Sequence, residues 1–266
     1  KVPYVSFDHQ HFMLENDLSS LPRALRRKLR LLRPGIKLMY RRQLATIVSS
    51  FYAPGIVPSS RTVYQVRSMI RPELARRRPT VGEHVLVYVR RSTPDAVLDA
   101  LAELPHEFRV YGRDEKEAQG NLSFRPISEK GFLEDLMPAK AVISAAGNQL
   151  LGEGLYLGKP VFALPETGQD EQLINAHFLE QAGRGIWSAP ERFQRADAEA
   201  FLTDLARFRG GEERHEYYGT PAAVEAVLSL RKRAAPPFLR VLAYATVGMA
   251  AARRHHLWAS RRVAVC

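Results

Sequence analysis

The stretch from Ala139 to Gly183, AKAVISAAGNQLLGEGLYLGKPVFALPETGQDEQLINAHFLEQAG, limits the possible folds most. Val142 and Ile143 fit a short buried strand. Ala145, Ala146 and Gly147 form a turn of small residues. Gln149 to Leu157 reads as a helix, ended by Gly158 before Lys159-Pro160. Val161 to Leu164 is a second apolar strand, and Pro165 to Asp170 a polar loop. Glu171 to Gln181 returns as a helix, stopped by Gly183. Short apolar runs alternating with helices predict parallel strands joined by crossover helices. Ligands of such sheets sit beyond the carboxyl ends of the strands. The loops that land there are Ser144–Asn148 and Pro165–Gln172.

The residues of these loops suggest a chemistry. Small residues ahead of a helix leave its first N–H groups open to an anion such as a diphosphate. Glu153, six residues after Gly147, offers a carboxylate suited to a vicinal diol such as a ribose. Glu171 and Gln172 open the next helix with acceptors and an amide donor for sugar hydroxyls. Diphosphate, ribose and hexose in a row describe a nucleotide-sugar. An ordinary α/β repeat with surface carboxylates fits the same pattern.

The stretch resembles the donor-binding half of the GT-B fold, UDP-sugar-dependent glycosyltransferases. It is most similar to the lipid-acceptor N-acetylglucosaminyltransferase of peptidoglycan synthesis and its uncharacterised relatives. The resemblance rests on Gly147 with Glu153 six later, then Gly158-Lys159-Pro160, then Glu171-Gln172-Leu173-Ile174-Asn175-Ala176. It implies an α/β fold of GT-B type, with one complete Rossmann-like C-terminal domain and the remnant of an N-terminal one. It also implies that Ser144, Gly147, Asn148 and Gln149 hold the diphosphate, Glu153 the ribose, and Glu171 and Gln172 the donor sugar. Phe132 then flanks the uracil base or belongs to the core. Ala145 stands where plant and animal UDP-glycosyltransferases carry a phosphate-contacting His. The expected donor is a UDP-sugar as co-substrate, with no cofactor and no bound metal. The expected reaction is transfer to a lipid-linked or membrane-proximal acceptor with inversion. A donor-binding subunit that needs a partner protein and a UDP-sugar epimerase are the alternatives.

The resembled enzymes start earlier in their sequence, with a strand and a Gly-rich loop carrying a His. The expectation is therefore a piece of a longer protein. Residues 1–66 are expected as the remnant of the acceptor-side domain, 67–235 as the nucleotide-sugar domain, and 236–266 as a crossing helix with a basic tail. The sequence does not show the catalytic base; Asp8 and His9, after the strand Lys1–Phe7, are candidates for the cleft, and a hydrogen-bonded turn explains them equally. Two His at i and i+2 with one Asp are weak evidence for a metal.

Charge is unevenly placed. The net charge is +11. Between Leu18 and Pro72 there are twelve Lys or Arg and no Asp or Glu, and after Glu225 eight and none. The rest of the chain is net acidic. Leu21, Leu25, Leu29 and Leu32 line one face of a helix over Leu21–Arg33, with Arg and Lys around the remainder. Pro34-Gly35 is expected to break it before a second segment, Ile36–Leu44. Such a basic amphipathic element suits an anionic membrane surface, as does the Arg-rich tail. A solvated face over a core-facing Leu stripe is the alternative. No nucleic-acid motif occurs, so nucleic acid is not the expected partner. One Cys, at the last position, suits a reducing compartment, and no run of about eighteen apolar residues occurs. The expected location is therefore cytoplasmic, peripheral at the inner face of the membrane.

The remaining elements are strands over Ala45–Tyr52, His84–Val89, Phe108–Tyr111 and Asn121–Arg125. Helices are expected over Asp95–Leu104 with Thr93 as N-cap, up to Leu136, over Ala196–Phe208, Pro221–Leu230 and Phe238–Ala252.

Overall fold

A computed structural model describes residues 4–40, 43–58, 61–115, 117–210, 214–233 and 240–243. The chain begins with β1 (Tyr4–Asp8), α1 (Phe12–Glu15), α2 (Arg23–Met39), β2 (Gln43–Ser49) and β3 (Thr62–Val66). It continues with α3 (Pro72–Ala75), β4 (Val85–Tyr88), α4 (Asp95–Ala102), β5 (Phe108–Tyr111), β6 (Leu122–Phe124) and α5 (Glu129–Leu136). Then come β7 (Ala141–Ser144), α6 (Asn148–Tyr156), β8 (Val161–Ala163), α7 (Asp170–Gln181) and β9 (Gly185–Trp187). The last elements are α8 (Arg195–Thr203), α9 (Leu205–Phe208), α10 (Thr220–Arg233) and β10 (Arg240–Ala243). The described residues form two compact units: those up to Met69 together with those from Tyr218 onward, and those from Ile70 to Tyr217.

The second unit is built on six parallel strands in the order β6-β5-β4-β7-β8-β9. Its strands are short apolar runs because both faces are covered by helices, which removes any reason to alternate. Val85, Val87, Phe108, Val110, Ile143 and Phe162 meet α4 and α8 in one core. Phe162 lies edge-on to Phe193 and Phe201, with ring centroids 5.3 and 5.5 Å away. Burying a side chain of this size contributes about 1.5–3 kcal/mol. From β4 the chain adds β5 and β6 on one side, then returns to add β7, β8 and β9 on the other. The order reverses between β4 and β7, and ligands of open parallel sheets bind at such a point, beyond the carboxyl ends.

The first unit is a four-stranded parallel sheet, β10-β1-β2-β3. Val5, Ala45, Ile47 and Val66 pack against Ala223, Ala226 and Leu230 of α10. Because α10 belongs here, the second unit ends at Tyr217 rather than at residue 235.

Several expectations are corrected. The helix does not break at Pro34-Gly35: α2 runs through both to Met39. Leu25, Leu29 and Ile36 are buried on both sides of the proline, and Arg33 Nε donates to the Met13 carbonyl at 2.9 Å. Pro34 and Gly35 face solvent, where a carbonyl that loses its helical N–H can be hydrated. Leu32 is not on the buried face; it is 40% exposed. Residues 61–66, which carried no strand expectation, contain β3. Thr93 does not cap α4; Pro94 takes that place, and Thr93 Oγ1 accepts from the Arg90 N–H at 3.2 Å. The single helix expected over Ala196–Phe208 is divided at Asp204. Arg240–Ala243, expected within a helix, is a strand parallel to β1. A short run of apolar residues fits either element, and the open edge of β1 decides between them. The rest of that expected helix, and the basic tail, lie outside the described residues.

Gly158-Lys159-Pro160 proves structural. Gly158 has φ +69°, and a Cβ there would stand 2.2 Å from the Gly210 carbonyl oxygen. Lys159 is buried and its Nζ donates to the Thr80 carbonyl. Burial, with Arg209 nearby, pushes its ammonium down from the ordinary lysine range to about 8. The unfolded chain then holds this proton more tightly than the folded one, so stability rises with pH from about 8 towards the ordinary lysine value. The wild type is expected to gain stability relative to Lys159→Met between pH 7.5 and 10. Urea unfolding of both proteins checks this, and a pH-independent difference contradicts it.

Candidate functional site

The carboxyl ends of β4, β7 and β8 bring the expected residues to one edge of the second unit's sheet. Ser144 ends β7, at the point where the strand order reverses. It is fully buried, and its Oγ has no hydrogen-bond partner among the described residues. The following turn is tied down twice: Gly147 N–H donates to the Ala145 carbonyl at 2.7 Å, and Asn175 Nδ2 to the Ala146 carbonyl at 2.9 Å. Gly147 is the N-cap of α6, and a Cβ added to it would meet nothing within 4 Å. A buried hydroxyl without a partner, open space at the cap and the partial positive charge of a helix mouth together suit an anion. Asn148 and Gln149 open α6.

Glu153 lies deeper in α6 with its side chain 0% exposed. Its Oε1 accepts from Arg71 Nε at 2.7 Å and from Gln149 Nε2 at 2.9 Å, and its Oε2 accepts from Arg71 Nη2. Burial opposes the Arg71 charge, but the bond and attraction of Glu153 outweigh it and hold the guanidinium above its ordinary range. Phe132, 5% exposed, lies 5.7 Å from the Arg71 guanidinium carbon. It also packs edge-on to Tyr88 and Tyr111, at 5.8 and 5.1 Å. Phe132 is therefore a core residue that also backs Arg71. Ser128 caps its helix, accepting from Gly131 N–H at 3.1 Å. The Tyr111 hydroxyl donates to Asp135 at 2.6 Å; burial first, then Asp135, holds the phenol above its ordinary range.

A second ion pair lies on the loops after β4 and β8. Arg90 Nη1 meets Glu166 Oε2 at 2.9 Å, and Ser92 Oγ donates to Glu166 Oε1. Gln172, 5% exposed, clasps the same residue: its Oε1 accepts from the Glu166 N–H at 2.8 Å, and its Nε2 donates to Oε2 at 3.3 Å. Glu171 is half-buried beside it in the first turn of α7. Three of the expected donor residues, Gln149, Glu153 and Gln172, thus fall into two networks, Arg71–Glu153–Gln149 and Arg90–Glu166–Gln172. Arg71 and Glu166 had no expected role. Nothing local marks either, because each partner is far away in sequence.

The two remaining candidates belong to the first unit. Asp8 and His9 are both buried. Asp8 accepts from the His11 N–H at 2.9 Å and faces His11 Nδ1 at 2.8 Å. His11 Nε2 in turn lies 3.1 Å from Gln43 Nε2. His9 Nδ1 donates to the Ser49 carbonyl at 2.8 Å, and its ring stacks on Phe12 at 4.4 Å. This is the hydrogen-bonded turn after β1, and Asp8 is engaged in holding it. A cavity of about 620 Å³ in the same unit lies elsewhere, along α10 beside Tyr218, Val224 and Leu228. Among the described residues no three His, Cys, Asp or Glu side chains converge as a metal site.

The fold is that of solved glycosyltransferases. Spinosyn forosaminyltransferase SpnP superposes with a TM-score of 0.53 at 21% identity, over 72% of this chain and 55% of SpnP. The calicheamicin glycosyltransferase CalG4 gives 0.52 at 17%, over 82% of this chain and 61% of CalG4. MurG of Acinetobacter baumannii gives 0.44 at 17%, over 75% of this chain and 63% of MurG. The chain therefore spans less than two thirds of each of these proteins. No curated protein matches the sequence. The profile of glycosyl transferase family 1 matches residues 1–206. With a parallel α/β fold of GT-B type and that match over most of its length, the chain belongs to glycosyl transferase family 1.

Proposed function

We propose that this chain binds a UDP-sugar at the mouth of α6 and serves transfer of the sugar, with inversion, to a lipid-linked or membrane-proximal acceptor. The observation that carries the reading is the turn Ser144–Gly147 at the strand-order reversal, with its unpartnered buried hydroxyl and open cap. In this reading the diphosphate lies against that turn and against Asn148 and Gln149. The helix mouth stabilises negative charge growing on the leaving UDP. The nucleoside lies toward Glu153 and Phe132, and the hexose toward Glu171 and Gln172. Calorimetric titration with UDP and a UDP-hexose is the test; binding in the micromolar range supports the reading, and no binding of either removes it.

The acceptor side of the proposal rests on α2. Arg23, Arg27, Lys28, Arg30 and Lys37 are exposed on it, and so are Leu31, at 81%, and Leu38, at 56%. Exposed leucines among cations suit an anionic bilayer, where each Lys or Arg contributes about 1 kcal/mol. No described helix is long and apolar enough to cross a membrane. The chain is expected to sediment with phosphatidylglycerol vesicles at low salt and not with phosphatidylcholine vesicles. Leu31→Asp with Leu38→Asp should weaken this at least tenfold. Binding to DNA but not to vesicles, across one salt series, contradicts the membrane reading.

A further inference from the structure

We infer that Glu166, held by Arg90, is a positioning residue for the donor sugar and acts through the amide of Gln172. The inference rests on the proposed donor site and adds to it a bridge between the loops after β4 and β8.

Strand order places the bridge. β4 and β8 lie on either side of β7, and all three strands are parallel. Adjacent strands are about 4.8 Å apart, so the loops after β4 and β8 start roughly 10 Å from one another. Arg90 and Glu166 span that gap beyond the carboxyl end of β7, the end that carries Ser144 and the small turn. Ser92 donates to the other carboxylate oxygen, so the loop after β4 engages both oxygens of Glu166. The Glu166 side chain is 11% exposed.

Glu166 dictates which way the Gln172 amide faces. A backbone N–H can only donate, so the group it meets at 2.8 Å is the amide oxygen. A carboxylate paired with an arginine can only accept, so the group at 3.3 Å is the amide nitrogen. A flipped amide would set oxygen against carboxylate and N–H against N–H. An amide carries two N–H groups and two acceptor sites. The clasp uses one of each. One donor and one acceptor remain, in a fixed plane, for sugar hydroxyls that can both donate and accept. Closing the loop needs only the backbone bond. The carboxylate, fixed by Arg90 and Ser92, is the part that sets the amide nitrogen.

The test is calorimetric titration with UDP, UDP-glucose and UDP-N-acetylglucosamine. The variant is Arg90→Gln with Glu166→Ala, which removes the carboxylate without leaving an unpaired guanidinium that could attract the diphosphate. It is expected to lose fivefold or more in affinity for the UDP-hexoses, about the worth of one neutral hydrogen bond. Its affinity for UDP should stay within twofold of the wild type. Gln172→Ala is expected to lose the UDP-hexoses at least as strongly. All three substitutions together should cost no more than Gln172→Ala alone, because Glu166 acts through that amide; additive losses overturn the inference. If Gln172→Ala loses the UDP-hexoses and the double variant does not, the inference falls and the donor site stands. Equal weakening of UDP and the UDP-hexoses in the double variant assigns the pair to the diphosphate or to the fold, and also overturns it. If the wild type binds none of the three, the donor-site reading itself falls and takes the inference with it.

Discussion

Glu153→Ala is expected to weaken UDP binding at least tenfold and also to destabilise the second unit. Removing one partner of a buried ion pair typically costs about 3–5 kcal/mol, because the other charge stays behind without a counterion. Arg71 keeps 21% of its side-chain surface exposed, so water can reach it and the lower part of that range applies. Gln149 loses its acceptor as well. Urea unfolding measures the stability and calorimetry the binding. The two effects separate in the double variant Arg71→Leu with Glu153→Leu. Replacing both charges with apolar groups restores most of the stability, since a buried pair adds little net free energy over a hydrophobic contact. The double variant should nevertheless remain unable to bind UDP. Wild-type affinity in Glu153→Ala would remove this pair from the donor site altogether.

This pair shows where the sequence stops being informative. Val142-Ile143, the small turn, the helix and Val161–Leu164 could all be read because each depends on neighbours within a few residues. The same alternation implied parallel strands joined by crossover helices, but not their order in the sheet. Arg71 is different. It stands between Ile70 and Pro72, where nothing announces a partner 82 positions later. Glu166, in a polar loop, is equally silent about Arg90. Long-range ion pairs leave no periodic trace. The continuous α2 and the strand β10 were hidden for a related reason. Tertiary contacts, from Leu29, Arg33 and Ile36 in one case and from the edge of β1 in the other, outweighed local preference. Gly158-Lys159-Pro160 was legible as a motif, yet its role is a tight backbone approach to Gly210 and a buried amine, not contact with a ligand.

Gly147→Leu separates folding from binding in the opposite way to Glu153→Ala. Gly147 has φ −73° and ψ 130°, an extended conformation that any residue adopts, and open space lies where its Cβ would be. The fold does not need a glycine here, in contrast to Gly158 with its positive φ. Replacing a glycine N-cap with an apolar residue costs on the order of 1 kcal/mol or less. Stability should therefore fall only slightly. The side chain would fill the space over the first turn of α6, which the proposed diphosphate needs in order to reach Ser144 and the helix N–H groups. A loss of UDP affinity above a hundredfold is expected, with unfolding close to that of the wild type. Gly147→Ala should be intermediate, since one methyl group only narrows the approach. If Gly147→Leu folds and binds UDP as well as the wild type does, the diphosphate does not lie at this helix mouth. Glu153 and Gln172 would then be organised around some other feature of the sheet edge.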